Sequence, residues 1–500
     1  MKHQLSKSTF MRGINCEKSL YLNKYKGKLR DPLTEQQESI FSQGTKVGEL
    51  AQELFPGGID LTPASFHDFG PSILATQKAI KRKEPIIYEA AFLYDGILAA
   101  IDILVKTDRG YKAYEVKSST EVKQAHLKDI ALQNYVIENS GLKLEDISLI
   151  YINNAYVKKG SIELQKLFTT VSVRKTIQKY MDKIPNQVLG LKKVLDTKKE
   201  PKVPIGLQCH APYTCDFVGH CWKHVPEYSV MNINNLSKKK RFDLLKKGVT
   251  FVHEVPDAFD LGTNQRLQVE AEKNGTAIVD HSRIEEFLSE LSYPLYHLDF
   301  ETFGHAVPVF DNSRPYQQLV FQYSLHVQSE AKAPPVHYEY LGTSSADPRP
   351  KFIEQLIDQC GTHGDILVYN ISFEKGKIND LILAFPSYAT PLNGIIARLK
   401  DLMIPFKSKW YYLPAMQGSY SIKKVLPAVV PTFKSAYTSL VIQDGGTASL
   451  AFAQMVDGSY SGSYSATRAD LLEYCKLDTL AMVEIVNALY ALKCHRAVHV

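Results

Sequence analysis

Asp102 lies in an apolar run, and Glu115 and Lys117 lie in a second run beyond a charged, glycine-containing turn at 107–110. Alternating β-branched and aromatic residues on both sides of that turn predict a β-hairpin over 100–118. Residues i and i+2 of a strand share a face, so Glu115 and Lys117 project together toward Asp102. Two carboxylates can hold a hard divalent cation through oxygen, and a nearby ammonium can orient a water or steady developing negative charge. The plain alternative is a surface hairpin with solvated charges. A second acidic strand, Asp299-Phe300-Glu301, repeats the i, i+2 arrangement. Tyr474 and Asp478 stand four apart in a strongly amphipathic stretch and so share a helix face. Cys16 stands alone, whereas Cys209, Cys215 and Cys221 follow one another with five residues between neighbours.

The elements that must position the first group run through residues 1–225. Ser8-Thr9 caps a predicted helix that carries Phe10, Met11, Ile14, Leu20 and Tyr21 and contains Cys16. A second helix runs over 43–54 and stops at Phe55-Pro56-Gly57-Gly58, and a third covers 65–81. A strand at 85–92 enters the hairpin, and a helix at 125–138 and a strand at 147–153 follow it. That order, with Asp102, Glu115-Val116-Lys117 and then Gln133-Asn134-Tyr135 on the next helix, resembles the PD-(D/E)XK nuclease superfamily. More narrowly it resembles the RecB-like exonucleases associated with CRISPR systems and helicase–nucleases. The resemblance implies that Asp102 and Glu115 bind Mg²⁺ or Mn²⁺, that Lys117 assists the attacking water, and that Gln133 and Tyr135 support the site or the DNA. The family's upstream helical His has no counterpart in Val47-Gly48-Glu49-Leu50-Ala51, where Glu49 is the replacement on offer.

Zinc ribbons and knuckles favour cysteine pairs two to four apart, tighter than the spacing after Cys209. One cysteine ahead of the core and three behind it resemble the same RecB-like nucleases, in which such cysteines ligate a [4Fe–4S] cluster. The resemblance implies Cys16, Cys209, Cys215 and Cys221 as cluster ligands, tying the first helix to the segment after the core. A zinc site drawing on His210, His220 or His224 is the alternative, and unrelated buried thiols are the plain reading. Cys360, Cys475 and Cys494 have no such grouping and read as ordinary thiols.

Residues 226–290 read as a connector and accessory segment. It has a basic helical stretch at 231–249, where Lys238-Lys239-Lys240-Arg241 is a solvated face or a contact to a phosphate backbone. Residues 291–500 then restart with strands at 293–302, 318–327 and 337–341, a helix at 351–360, a strand at 366–370 and a late helix at 470–492. This layout is that of the ribonuclease H-like fold. Asp299-Phe300-Glu301, Asn370-Ile371-Ser372-Phe373-Glu374 and Tyr474-Cys475-Lys476-Leu477-Asp478 resemble the three motifs of the DEDDy exonucleases of the DnaQ-like group. The resemblance implies Asp299, Glu301 and Asp478 as ligands of two Mg²⁺ ions, with Tyr474 orienting the nucleophilic water. Glu374 is the fourth expected ligand and stands where that family has Asp, one methylene longer, and Asp380 and Asp401 are replacements outside the expected place. Between the second and third motifs, Lys423 or Lys424 beside Gly418-Ser419 can hold a nucleic-acid backbone, and Tyr411 and Tyr412 can stack on a base or pack on their own loop.

The 500 residues exceed one core, and the formal charge of +6 is too mild to argue for nucleic acid by itself. Seven cysteines, an odd number, do not form a disulfide framework, so a reducing cytoplasm is the expected location. The basic N-terminus lacks the apolar stretch of a signal peptide, and no run of about 18 apolar residues marks a membrane span. The chain as a whole resembles a bacterial family that joins a RecB-like half to a DnaQ-like half. The expectation is an α/β protein: a PD-(D/E)XK restriction-endonuclease-like domain plus a ribonuclease H-like domain joined by a helical connector. It would be a metal-dependent nuclease with a 4Fe-4S cluster and Mg²⁺ or Mn²⁺, acting on DNA before RNA, with a helicase or another repair or defence protein as partner. A binding protein that keeps the folds without the chemistry is the alternative, and a redox protein using the cluster is the third reading, though no flavin or dinucleotide motif accompanies it.

Overall fold

The computed structural model describes residues 3–65 and 67–495, with side chains to residue 492, so the Cys494 side chain lies outside the described residues. The chain is mixed α/β and divides into two compact units: Met1–His224 with His305–Tyr316, and Val225–Gly304 with Gln317–Val500. Among the described residues no helix is long and apolar enough to cross a membrane.

The first unit is built on a seven-stranded mixed sheet. Its strands are β1 (Leu5–Ser6), β2 (Ile59–Asp60), β3 (Ile86–Tyr94), β4 (Ile97–Thr107), β5 (Gly110–Lys117), β6 (Leu144–Ile152) and β7 (Phe168–Ser172). The order is β2-β3-β4-β5-β6-β7, with β1 also beside β4. β3, β4 and β5 form an antiparallel meander, β6 joins β5 in parallel, and β1 joins β4 in parallel. Since β3 occupies one edge of β4 along its length, β1 and β5 must share the other. β1 pairs there at Ile97 and Leu98, β5 pairs from Ile103 onward, and Asp102 falls in the fork between them. One core cluster packs the sheet against α1 (Lys7–Asn15), α2 (Glu17–Tyr25), α4 (Gly70–Arg82), α5 (Gln124–Asn139), α7 (Arg174–Met181) and α8 (Ile184–Asp196). A second cluster packs it against α3 (Glu35–Gln52) and α6 (Leu164–Leu167).

Three expectations need correction here. The first helix starts at Ser6, whose hydroxyl caps Thr9 in a reciprocal capping box, two residues before the expected cap. It does not run through Cys16: that residue is extended (φ −159°, ψ 110°), ending α1 and opening α2, which frees its thiol from the helix surface. Helix α3 begins at the Thr34–Gln37 capping box, well before residue 43.

In the second unit, β9 (Leu295–Phe303), β10 (Leu319–Gln328), β11 (Val336–Leu341), β12 (Ile366–Val368) and β13 (Leu399–Asp401) form a sheet ordered β11-β10-β9-β12-β13. The first three strands are antiparallel, and β12 and β13 run parallel to β9. The apolar run of β9 explains its central place, since a strand covered on both faces buries every second and every intervening residue. Helices α13 (Arg349–Cys360), α14 (Ile371–Ala384) and α15 (Ala389–Ala397) pack on the sheet core. Helices α17 (Ile422–Val429), α18 (Gly445–Asp457) and α19 (Tyr464–His495) follow the short helix α16 (Ile404–Lys407) and the two-residue strand β14 (Tyr411–Tyr412).

The expected connector, 226–290, is part of this unit. Its helices α10 (Lys238–Lys246), α11 (Thr263–Asn274) and α12 (His281–Ser289) come after the one-turn α9 (Val218–Cys221) of the first unit. Val230, Ile233, Leu236, Leu244, Val252, Val255 and Val269 bury one another. Strand β8 (Ile278–Val279) pairs with β14, and the Asn234 amide donates to the Gly418 carbonyl at 3.0 Å. The basic run there is partly spent: Lys240 pairs with Asp260 at 2.7 Å, and Arg241 donates to the Ile233 carbonyl.

Candidate metal centres

At the fork of the first sheet, the Asp102 carboxylate accepts the Val116 N–H at 2.5 Å, replacing a ladder partner where β4 and β5 separate. Glu115 is 1 % exposed, and its Oε1 receives two ammoniums, Lys117 at 2.6 Å and Lys7 at 2.7 Å. Lys117 also reaches Asp129 on α5 at 2.9 Å. Burial alone would raise the Glu115 carboxyl, but the Lys117 and Lys7 charges overcome it and hold it down at about 2. Asp102 lacks such a partner, so burial and the Glu115 charge push it up to about 7. Glu89 of β3 is pushed up to about 8 by burial and by Asp102 and Glu115. It occupies the strand position opposite Asp102 with φ +53°, a left-handed backbone uncommon for a non-glycine residue.

The predicted trio of Asp102, Glu115 and Lys117 is thus brought together. Gln133 is fully buried, and neither end of its amide has a protein partner. It stands one helical turn from Asp129 and so shares that residue's face of α5. Tyr135, two residues on, faces elsewhere: its ring meets Tyr94 edge-on at 5.7 Å, beside the β3–β4 turn. Glu49, the suggested stand-in for a helical His, is exposed on α3. Sequence reasoning missed Lys7, Glu89 and Asp129. The i, i+4 spacing of Asp129 and Gln133 was the one available signal. The donors here suit a divalent cation, although among the described residues no three of these acids bring an oxygen each within 4.8 Å of one another. Glu115 Oε2 and Asp129 Oδ1 are buried without protein partners, and burial with the neighbouring carboxylates outweighs the Lys7 charge at the raised Asp102 and Glu89 carboxyls.

Cys16, Cys209, Cys215 and Cys221 line one pocket, together with Ser19, Gln208 and Phe217. Backbone N–H groups of Ser19 and Lys18 point at the Cys16 sulfur, and the Ser19 hydroxyl lies 3.4 Å from Cys215 Sγ. Burial raises the Cys16 and Cys221 thiols, and the neighbouring cysteines add to the rise. A tetrahedral zinc with Zn–S bonds of about 2.3 Å sets sulfurs about 3.8 Å apart. Among the described residues no three of these sulfurs lie within 4.8 Å of one another. His210 turns to Trp222, with ring centroids 5.0 Å apart. The pocket is fastened to α1 by Arg12, which grips Asp216 at 2.5 and 3.0 Å, and by Asn15, which donates to the Gln208 carbonyl.

In the second unit, carboxylate oxygens of Asp299, Glu301 and Asp478 all lie within 4.8 Å of one another. Asp299 and Glu301 come from one face of β9, and Asp478 from α19, which packs on β9 and β10. Burial, then Asp478 and Glu301, holds Asp299 well above the usual carboxylate range, and burial with Asp478 pushes Glu301 to about 8. Three acids so close together, with no ion-paired ammonium among the described residues, suit divalent cations. The Tyr437 hydroxyl donates to Asp478 at 2.6 Å, and Lys423 reaches the Tyr474 hydroxyl at 3.2 Å. Asp299, Glu301, Tyr474, Asp478, Lys423 and Phe373 line a pocket of about 230 Å³. Glu374 is buried at the start of α14 and pushed up to about 8 by burial, with Oε2 unpartnered, but it stands outside the close trio.

Neither suggested replacement for Glu374 joins the trio. Asp380 pairs with Lys377 at 3.0 Å, and Asp401 accepts the backbone N–H of Asn370 and Met403. Tyr411 and Tyr412 are buried, so the base-stacking option gives way to packing; Tyr412 accepts the Gly418 N–H and bonds Glu272. Lys423 points into the acid pocket, whereas Lys424 bonds the Gln417 side chain.

A family model described as "Domain of unknown function (DUF2779)" matches residues 296–421, a stretch that holds Asp299, Glu301 and Glu374 and ends before Asp478. The chain is similar to an uncharacterized protein of Mycoplasma pneumoniae, 28% identical over 231 residues, covering 43% of this chain and 34% of that protein. It is similar to an uncharacterized protein of Mycoplasma genitalium, 26% identical over 207 residues, covering 38% and 31% respectively. A Ureaplasma parvum protein, also described as uncharacterized, is 26% identical over 178 residues, covering 33% of this chain and 25% of its own length. The chain therefore spans about a third or less of the length of the curated relatives it matches, and what it is similar to is this set of proteins and the domain at 296–421.

Proposed function

We propose that the chain is a metal-dependent nuclease that hydrolyses phosphodiester bonds of DNA or RNA, with a PD-(D/E)XK-like first half and a ribonuclease H-like second half. The observation that carries this reading is the trio Asp299, Glu301 and Asp478, one half-buried and two buried acids within 4.8 Å on a 3-2-1-4-5 sheet and its late helix. The fork at Asp102, with Glu115 and Lys117, supports the same chemistry in the first half. Bound Mg²⁺ or Mn²⁺ would supply a Lewis acid and a lowered water pKa. In the first site Asp102 and Glu115 would hold the ion, and Lys117, fixed between Glu115 and Asp129, would face the attacking water. In the second, Asp299, Glu301 and Asp478 would hold metal, and Tyr474, tethered by Lys423, would position the water. Four thiols lining one pocket support a 4Fe-4S cluster with a structural role, with zinc as the alternative.

The test is digestion of single- and double-stranded DNA and RNA with Mg²⁺ or Mn²⁺. Lys117→Ala and Asp299→Ala are each expected to remove one component of cleavage, by 10²-fold or more on the order of a lost catalytic group, and the double variant is expected to remove both. Equal cleavage by wild type and all three variants would sink the proposal. A second reading, a nucleic-acid-binding protein with one silent half, is favoured by Glu374 standing apart from the trio. It predicts binding by the second half with Asp299→Ala leaving total cleavage unchanged.

A further inference from the structure

We propose that the first site takes one divalent cation, and that the Lys7 ammonium stands where a second would bind. The proposal rests on the nuclease reading of that site and adds its metal stoichiometry and a residue outside the D…ExK pattern. Strand β1 runs parallel to β4 along Ile97 and Leu98, toward Asp102, and Lys7 is the next residue after it. The chain therefore delivers Lys7 into the fork that β5 leaves open. Its ammonium lies 2.7 Å from Glu115 Oε1 and 3.9 Å from Asp129 Oδ2, the same two carboxylates that Lys117 engages.

Two ammoniums therefore fill one side of Glu115, while its Oε2, in a residue only 1 % exposed, has no protein partner. Glu89, Asp102, Glu115 and Asp129 bring four carboxyl groups to the fork, and the Lys7 and Lys117 ammoniums already occupy the side of Glu115 and Asp129 that a second ion would need. The acid trio of the second unit makes the contrast. Lys423 there bonds the Tyr474 hydroxyl and the Gln443 carbonyl, and no ion pair forms between an ammonium and the trio among the described residues. Lys7 is placed to do what a second ion does elsewhere, offering fixed positive charge at the phosphate without needing to be recruited from solution.

The experiment counts Mn²⁺ bound per full-length chain, by paramagnetic resonance of free ion against total, in an Asp299→Asn, Glu301→Gln background that silences the second site. One ion is expected with Lys7 or with Lys7→Arg, and two with Lys7→Met. A count of two with Lys7 in place overturns the proposal whether or not the Lys7→Met chain folds, and a count of one in a Lys7→Met chain with unchanged melting also overturns it. A chain that binds one ion but cuts no nucleic acid leaves the count standing and removes the nuclease reading instead. No Mn²⁺ bound, with Asp102→Asn making no difference, overturns both.

Discussion

Glu301 and Glu374 ionise near 8 in the folded chain because burial, chiefly, opposes their charge, whereas an unfolded Glu ionises near 4.3. Between those values the native state holds more protons than the unfolded one, so stability falls as pH rises and the loss is complete above 8. Buried His297 and half-buried His337, both lowered to about 4, act in the opposite direction, but their effect is complete by the ordinary histidine value of about 6.5. From pH 6.5 to 8 the fall therefore belongs to the carboxyls, up to about 2 kcal/mol for each. Denaturant midpoints of metal-free protein should decline across this window, with a shallower slope for Glu374→Gln; a flat profile in wild type would contradict the burial argument. Asp102, Glu115 and Lys117 were legible because strand alternation placed them on one face, and Asp299, Glu301 and Asp478 because their motifs fall in order. Lys7 and Glu89 were not. Lys7 meets Glu115 across 108 positions, and Glu89 faces Asp102 only through strand register, which no local periodicity encodes.

Helix α1 carries Lys7 at its first turn and ends at Cys16, so its seating governs both ends. Gly13 is the close approach: a Cβ there would meet Leu191 at 2.7 Å and Leu20 at 3.0 Å. Gly13→Val should cost about 1–3 kcal/mol by wedging α1 from α2 and α8, measured by denaturant unfolding. On the cluster reading it should also lower iron per chain. Unchanged stability would mean the leucines move aside freely. The strands and the long helices were legible from period, and breakers such as Phe55-Pro56 set their ends. The interruption at Cys16 was not, because Phe10, Ile14, Leu20 and Tyr21 keep an apolar rhythm across it while the backbone turns extended. The stretch 226–290 looked like a connector because its helical run at 231–249 is basic and apolar-periodic. Its valines and leucines nevertheless close a small core, and β8 finds its partner only at 411–412, far along the chain.

Each unit has its own core, so the full chain should unfold calorimetrically in two transitions. Cys16→Ser should lower the first unit's transition and leave the second in place, since Cys16 and its three partners all lie in one unit. A shift of both transitions would mean that the units unfold together. The chain also leaves its second unit once, at 305–316, to finish the first: the Ala306 N–H donates to Gln43, Lys158 pairs with Asp311 at 2.8 Å, and the Tyr316 hydroxyl bonds the Ser118 carbonyl. On the ribosome, therefore, the first unit lacks these contacts when residue 224 has emerged. It waits for 305–316, several seconds later at about 5–20 residues per second. By then Leu295–Phe303 has already been synthesised, without the neighbours that flank it in the finished sheet. Translation order thus leaves an apolar strand unpaired while the first unit still lacks its last segment, an interval in which an exposed strand edge favours wrong pairing.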